Sequence, residues 1–166
     1  MADRVYNILF LCTGNSARSI MAEAYLNRLA RHIRGFSAGS HPKGRVHPLA
    51  LERLRQLGIP TEGLRSKSWD EFAAAGAPQM DFVVTVCDQA AAEMCPVWPG
   101  HPMTANWGIP DPAAVEGSDA ERSAAFVQAF GYLKRRIDLF LEFRIEHLDR
   151  LAIKQRLETI GRESAS

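Results

Sequence analysis

Residues 5–21, Val-Tyr-Asn-Ile-Leu-Phe-Leu-Cys-Thr-Gly-Asn-Ser-Ala-Arg-Ser-Ile-Met, constrain the chain more than any other stretch. A run rich in apolar residues, Val5 to Leu11, stops abruptly at Cys12. Small residues follow, Thr13, Gly14, Asn15, Ser16 and Ala17, then Arg18 and Ser19; from Ile20 the pattern turns helical. This reads as strand, tight loop and helix. Such a loop aims successive backbone N–H groups at one spot, at the positive end of a helix dipole, and that spot suits a tetrahedral oxyanion. A cysteine held there gives up its proton more readily, because the N–H groups and Arg18 favour the thiolate.

The rest of the chain alternates strand and helix patterns. Ile20, Met21, Ala24, Tyr25, Leu29 and Ile33 lie at helical spacing, so residues 17–33 read as one helix, closed by Gly35. A short strand, 35–38, and a loop, 39–44, follow. Leu51, Leu54 and Leu57 predict a helix over 47–57, with Pro48 in its first turn and Gly58 as its C-terminal cap. Ser68 and Glu71 make a capping box for a short helix over 69–74. Residues 81–86 form a clear strand, and it too ends in a cysteine, Cys87. Residues 89–95 read as a short helix or turn, and 103–107 as a last short strand. Phe126, Phe130, Leu133, Ile137 and Phe140 mark a long amphipathic helix over 119–143, and Leu148, Leu151 and Leu157 a last one over 145–160. This order predicts an α/β fold with a parallel sheet covered on both faces, whose ligands bind beyond the carboxyl ends of the strands. Cys12 and Cys87 then share one edge.

A chain of 166 residues is one domain with room for a proper core. With 23% charged residues and a formal net charge of +1, nothing favours nucleic acid or a membrane surface as a partner. The N-terminus lacks a signal-peptide layout, and no apolar run is long enough to span a bilayer. The expected compartment is the cytoplasm, where three cysteines favour catalysis or redox chemistry over a disulfide framework.

Cys12-Thr13-Gly14-Asn15-Ser16-Ala17-Arg18-Ser19 carries the Cys-x5-Arg spacing of phosphate-type nucleophilic cysteine enzymes. The fuller string, directly after a strand, resembles the arsenate reductases built on the low-molecular-weight tyrosine phosphatase fold. The strings Val84-Thr85-Val86-Cys87-Asp88 and Cys95-Pro96 resemble the redox segment of the same family. The resemblance covers about residues 5–143. It implies a three-layer α/β/α architecture with a four-stranded parallel sheet over 1–143; the helical pattern of 144–166 lies beyond it and reads as an extension packed on the same single domain.

The resemblance also implies roles. Thr13 to Ser19 hold the oxyanion, arsenate, with phosphate or sulfate as mimics. Cys12 attacks arsenic, Cys87 attacks Cys12, and Cys95 then attacks Cys87, which requires the intervening residues to loosen. Arg18 grips two anion oxygens with its planar fork. Ser19 hydrogen-bonds the sulfur, Asn15 braces the loop, and Asp111, before Pro112, is the general acid. No tightly bound cofactor is implied; electrons come from thioredoxin, or from glutaredoxin with glutathione. Cys87 and Cys95 stand slightly further apart than in the best-known thioredoxin-coupled members, which leaves the reductant open. Some members also bind potassium behind the loop. Asn15, Glu23 and Ser37 match that site, but Ser68-Trp69 stands where its aspartate is expected, with Asp70 next door, so no metal is assigned. None of the five histidines shows metal-ligand spacing.

Two alternatives stand beside reduction. One is a low-molecular-weight protein-tyrosine phosphatase with a phosphocysteine intermediate. Ala113 and Ala114 after Pro112 offer no aromatic wall for a phosphotyrosine ring, and that chemistry has no use for Cys95. The other is a non-catalytic anion sensor, which intact Cys12, Arg18 and Asp111 disfavour.

Overall fold

The structure is a computed structural model that describes residues 4–29, 31–87, 98, 100–142, 144–145 and 148–162. Four strands, β1 (Tyr6–Leu11), β2 (Ile33–Ala38), β3 (Phe82–Thr85) and β4 (Met103–Asn106), form one parallel sheet in the order β2-β1-β3-β4. Chain order reverses between β1 and β3, which pair from Ile8↔Phe82 to Leu11↔Thr85. That reversal opens a crevice at the carboxyl ends of the two central strands.

Alternation along β1 sends side chains to both faces. Ile8 and Phe10 join a large cluster built from α1 (Arg18–Leu29), α2 (Pro48–Gln56), α4 (Asp119–Glu142) and α5 (Arg150–Arg162). The stripe Phe126, Phe130, Leu133, Ile137 and Phe140 is buried there. Phe140 meets Phe82 and Trp107 edge-on, with ring centroids 5.4 and 5.9 Å apart. Each such side chain contributes roughly 1.5–3 kcal/mol by leaving water. Leu9 and Leu11 face the other way, toward Phe72 of the short α3 (Asp70–Ala73), Met80 and Trp98. Among the described residues, this second face has the smaller cluster.

The local signals explain most boundaries. Pro48 opens α2, and Gly58, at φ 70°, closes it: the Gly58 amide bonds the Arg55 carbonyl and the Ile59 amide bonds Leu54, a Schellman pattern. Three expectations are corrected. The first helix stops at Leu29 rather than running to 33, and Ile33 begins β2 opposite Tyr6. Gly35 is therefore a mid-strand residue, not a helix stop; its amide and carbonyl are held by the Asn27 side chain at 2.7 and 3.0 Å. The capping box at α3 is half made. Ser68 Oγ accepts the Asp70 amide at 3.1 Å, but the Glu71 carboxylate turns to Arg65, where a charge-assisted fork is the stronger contact. The last helix is α5, beginning at Arg150 under an Asp149 side-chain cap, and Leu151 is 67% exposed while Ile153, Leu157 and Ile160 face inward. Residues 89–95 lie outside the described residues.

α5 sits hard against the end of β4. A Cβ on Gly161 would come within 2.3 Å of the Asn106 carbonyl, so only glycine permits this approach. The indole of the fully buried Trp107 donates to the Leu157 carbonyl at 3.0 Å. Among the described residues, no helix is long and apolar enough to cross a membrane.

Candidate anion-binding and thiol site

The loop from Cys12 to Ala17 joins β1 to α1 and is held from outside. The carbonyls of Thr13, Gly14 and Ser16 accept the amides of His41, Lys43 and His47 at 2.9, 2.9 and 2.8 Å. In a trans peptide the N–H of the next residue points opposite the carbonyl. Pulling these carbonyls outward therefore turns the Gly14, Asn15 and Ala17 amides to the other side, the concave one. That is a ready anion nest at the start of α1. Asn15 has φ 43°, a left-handed conformation that asparagine tolerates better than most residues. Gly39, just past β2, must be glycine, since a Cβ there would lie 2.5 Å from the Thr13 carbonyl oxygen and 2.7 Å from that of Cys12.

Cys12 is buried, with its Sγ 2.9 Å from Ser19 Oγ. Asn15 Nδ2 donates to the same Ser19 oxygen at 2.8 Å, and Asn15 Oδ1 accepts the Lys67 amide at 2.8 Å. Arg18 is steered from its other side: Nη1 donates to the Ile109 carbonyl at 3.0 Å, and Nη2 lies 3.7 Å from Asp111 Oδ2. Asp111 precedes the 3-10 turn Pro112–Ala114 and caps it through the Ala113 amide at 2.9 Å. Cys87, also buried, follows β3, and its Sγ is 3.8 Å from Thr13 Oγ1. Thus Cys12, Arg18, Asp111 and Cys87 converge on one crevice at the β1/β3 reversal. Cys95 lies outside the described residues. A cavity of about 350 Å³ lined by Tyr6, Asp81, Phe82 and Met103 belongs to the opposite, amino-terminal end of the sheet, away from this chemistry.

Two participants escaped the sequence reading. His47 is the N-cap of α2: its Nδ1 accepts the Leu49 amide at 3.1 Å, its own amide holds the Ser16 carbonyl, and its ring lies 4.7 Å from that of Phe126. Pro48 marks the helix start in the sequence, but histidine is not a usual cap, so the part its side chain plays is not read from the pattern. Burial pushes its imidazole below the ordinary histidine value, Arg122 and Lys43 push the same way, and Asp111 opposes.

The other is Lys67, whose side chain is 8% exposed. Its Nζ lies 2.8 Å from the Arg65 carbonyl, 3.4 Å from Ser37 Oγ and 3.8 Å from Glu23 Oε1. Glu23 in turn accepts the Ser37 hydroxyl at 2.5 Å. Burial pushes the Glu23 carboxyl up, and the Ser37 hydrogen bond and Lys67 pull it back; burial pushes the Lys67 ammonium down, and Glu23 pulls it back. Glu23 and Ser37 are the donors that a potassium ion would use, but a covalently held cation already stands among them, and Asn15 Oδ1 is engaged by the Lys67 amide. A separate metal ion does not fit. No group of three or more acidic, histidine or cysteine residues able to hold a metal occurs among the described residues.

Comparison with known proteins shows the family of the chain. The profile of the low molecular weight phosphotyrosine protein phosphatase family matches residues 7–153. An arsenate reductase of Halalkalibacterium halodurans is 38% identical over 136 residues, 81% of this chain and 94% of the relative. A solved arsenate reductase in its phosphate-binding state superposes with a TM-score of 0.62 at 26% identity, covering 81% of this chain and 95% of the other. The thioredoxin-dependent arsenate reductase Cg_ArsC1' of Corynebacterium glutamicum gives 0.54 at 26% identity, covering 84% of this chain and 65% of the other. A sheet that reverses between β1 and β3, with the Cys12–Arg18 loop at that reversal, therefore has a family to match: the chain belongs to the low molecular weight phosphotyrosine protein phosphatases, and within that family it is similar to arsenate reductases.

Proposed function

We propose that this protein reduces arsenate to arsenite through a sequence of thiol exchanges starting at Cys12. The observation that carries the reading is the second buried thiol: Cys87 Sγ stands 3.8 Å from Thr13 Oγ1, beside the nucleophile's own loop. A hydrolase needs only the first sulfur.

In this reading the oxyanion sits in the nest of Thr13 to Ser19, with Arg18 on two of its oxygens. The Cys12 thiolate attacks arsenic, a sulfur–arsenic bond forms, and one oxygen leaves as water with a proton from Asp111. The Cys87 thiolate then attacks Cys12 Sγ. The electron pair of the sulfur–arsenic bond goes to arsenic, which falls from As(V) to As(III) and departs as arsenite, leaving a Cys12–Cys87 disulfide. Cys95 attacks Cys87, freeing Cys12 and carrying the disulfide to 87–95. An external dithiol restores both thiols. Thioredoxin is favoured by the Corynebacterium relative, with glutaredoxin and glutathione as the competing donor.

One observation also favours phosphoryl chemistry. Asp111 stands 3.7 Å from Arg18, where a carboxyl can protonate an ester oxygen as readily as an arsenate oxygen. The test is arsenate-dependent disulfide mapping by mass spectrometry under each donor system. A 12–87 bridge followed by an 87–95 bridge is expected. Cys12→Ser should abolish turnover of arsenate and of phosphate esters alike. Cys87→Ser should stop arsenite release and spare any slow ester hydrolysis; if arsenite release persists, the thiol sequence is wrong.

A further inference from the structure

The space beneath the anion loop holds a charged pair that the chemistry above does not use. Glu23 projects from α1 with its side chain 16% exposed, on the underside of a loop built to receive anions. Left alone, its negative charge would oppose both a Cys12 thiolate and a bound oxyanion. Lys67 answers it, and does so from a residue whose main chain is itself part of the loop's support. The Lys67 amide holds Asn15 Oδ1, and the Lys67 carbonyl accepts the Gly39 amide at 3.0 Å.

The hydrogen-bond directions are then fixed in series. With its Oδ1 accepting from Lys67, the Asn15 carboxamide must present Nδ2 to Ser19. With Asn15 donating to it, Ser19 keeps its own O–H to give to the Cys12 sulfur, 2.9 Å away. The ammonium of Lys67 pins the start of this series by gripping Glu23, Ser37 and the Arg65 carbonyl.

We propose that Lys67 is a built-in cation: it takes the place of a bound monovalent metal ion under the anion loop and positions Cys12 through Asn15 and Ser19, so that the protein is independent of potassium. Lys67 is a positioning residue, since it reaches the sulfur only through two other side chains. The inference rests on Cys12 being the nucleophile, but not on arsenate being the substrate.

The test uses the full chain without arsenate, so its outcome is separable from that of the reductase reading. The protein is exchanged into tetramethylammonium chloride, then titrated with KCl or NaCl at constant ionic strength. Thermal midpoint and the rate of Cys12 alkylation by iodoacetamide, followed on the Cys12 peptide by mass spectrometry, are recorded well below the midpoint. The wild type should show no potassium-specific change in either. Lys67→Met should alkylate about tenfold more slowly while still folded, the scale of one lost charge-assisted contact. Lys67→Asp should be slow in tetramethylammonium and recover with potassium more than with sodium. A potassium-specific rise in the wild type, or a folded Lys67→Met that alkylates at the wild-type rate, overturns the proposal. Both remain decisive even where Lys67→Asp fails to fold.

Discussion

The two sides of the anion loop are built differently. Underneath, Asn15, Ser19, Ser37 and Lys67 are all buried, and the contacts that orient the sulfur are short: Asn15 is bonded at 2.8 Å on both its carboxamide atoms and Ser19 lies 2.9 Å from Cys12, while the Lys67 ammonium stands further off, 3.8 Å from Glu23. At the rim, Asp111 has a side chain 39% exposed, its approach to Arg18 is 3.7 Å, and the Cys87–Thr13 contact is 3.8 Å. The difference separates two tasks. A nest of amides works only if its geometry is settled before the anion arrives, because donors already in place need no reorganisation when charge develops. The rim must admit substrate and let groups close on it, so longer contacts suit it.

The sharpest way to break that contrast is from below. Gly39→Ala would drive a Cβ against the Thr13 and Cys12 carbonyls, and neither backbone atom can move without opening the nest. A loss of about 3 kcal/mol or more in urea-monitored stability is expected, at the upper end for overpacking, together with loss of phosphate binding by calorimetry. At the rim, Asp111→Asn should do the opposite. Stability should change by less than about 0.5 kcal/mol, as for an exposed substitution, while single-turnover chemistry slows by roughly 10²- to 10⁴-fold. If the asparagine variant unfolds more easily but turns over normally, the two sides are not divided in this way.

The smallest effect comes from His47, which holds the loop's Ser16 carbonyl and feels the charge of Asp111 at the rim. Its imidazole titrates below the ordinary value of about 6.5, so below that pH the unfolded chain binds the proton that the folded protein refuses. Stability is therefore complete above about pH 6.5 and falls as the pH drops toward the lower folded value. Protonation also removes Nδ1 as the acceptor for the Leu49 amide. His47→Asn keeps a capping side chain and should flatten this part of the stability–pH curve, measured by urea melts from pH 5 to 8.

Which parts were legible in the sequence follows from the range of each interaction. Cys12, Arg18 and the strand before them lie within a dozen residues, so one contiguous pattern defines them, and Cys87 is placed by the simple rule that parallel strands end on one edge. Ile33 was misplaced because an apolar residue at the end of a helical register is equally good as the first residue of a strand; the pairing with Tyr6 decides it. Leu151 matched the expected stripe only through its three-residue spacing from Leu148; the buried face of α5 runs through Ile153, Leu157 and Ile160, and Leu151, two residues from Ile153, lies on the opposite side. Lys67 was invisible for a different reason. Its partners, Asn15, Glu23 and Ser37, come from three elements 30 to 52 positions away, and no local period links them. The absent aspartate near position 68 was the one hint that something else balances charge there.

Both outer strands of the sheet are closed off by side chains from helices. Asn27 occupies the outward amide and carbonyl of Gly35 on β2, while Lys154 of α5 donates to the Thr104 carbonyl on β4 and Gly161 rests on its last residue. Each outer strand thus has part of its free edge taken up by a helix, which shortens the stretch on which a foreign β-segment could pair.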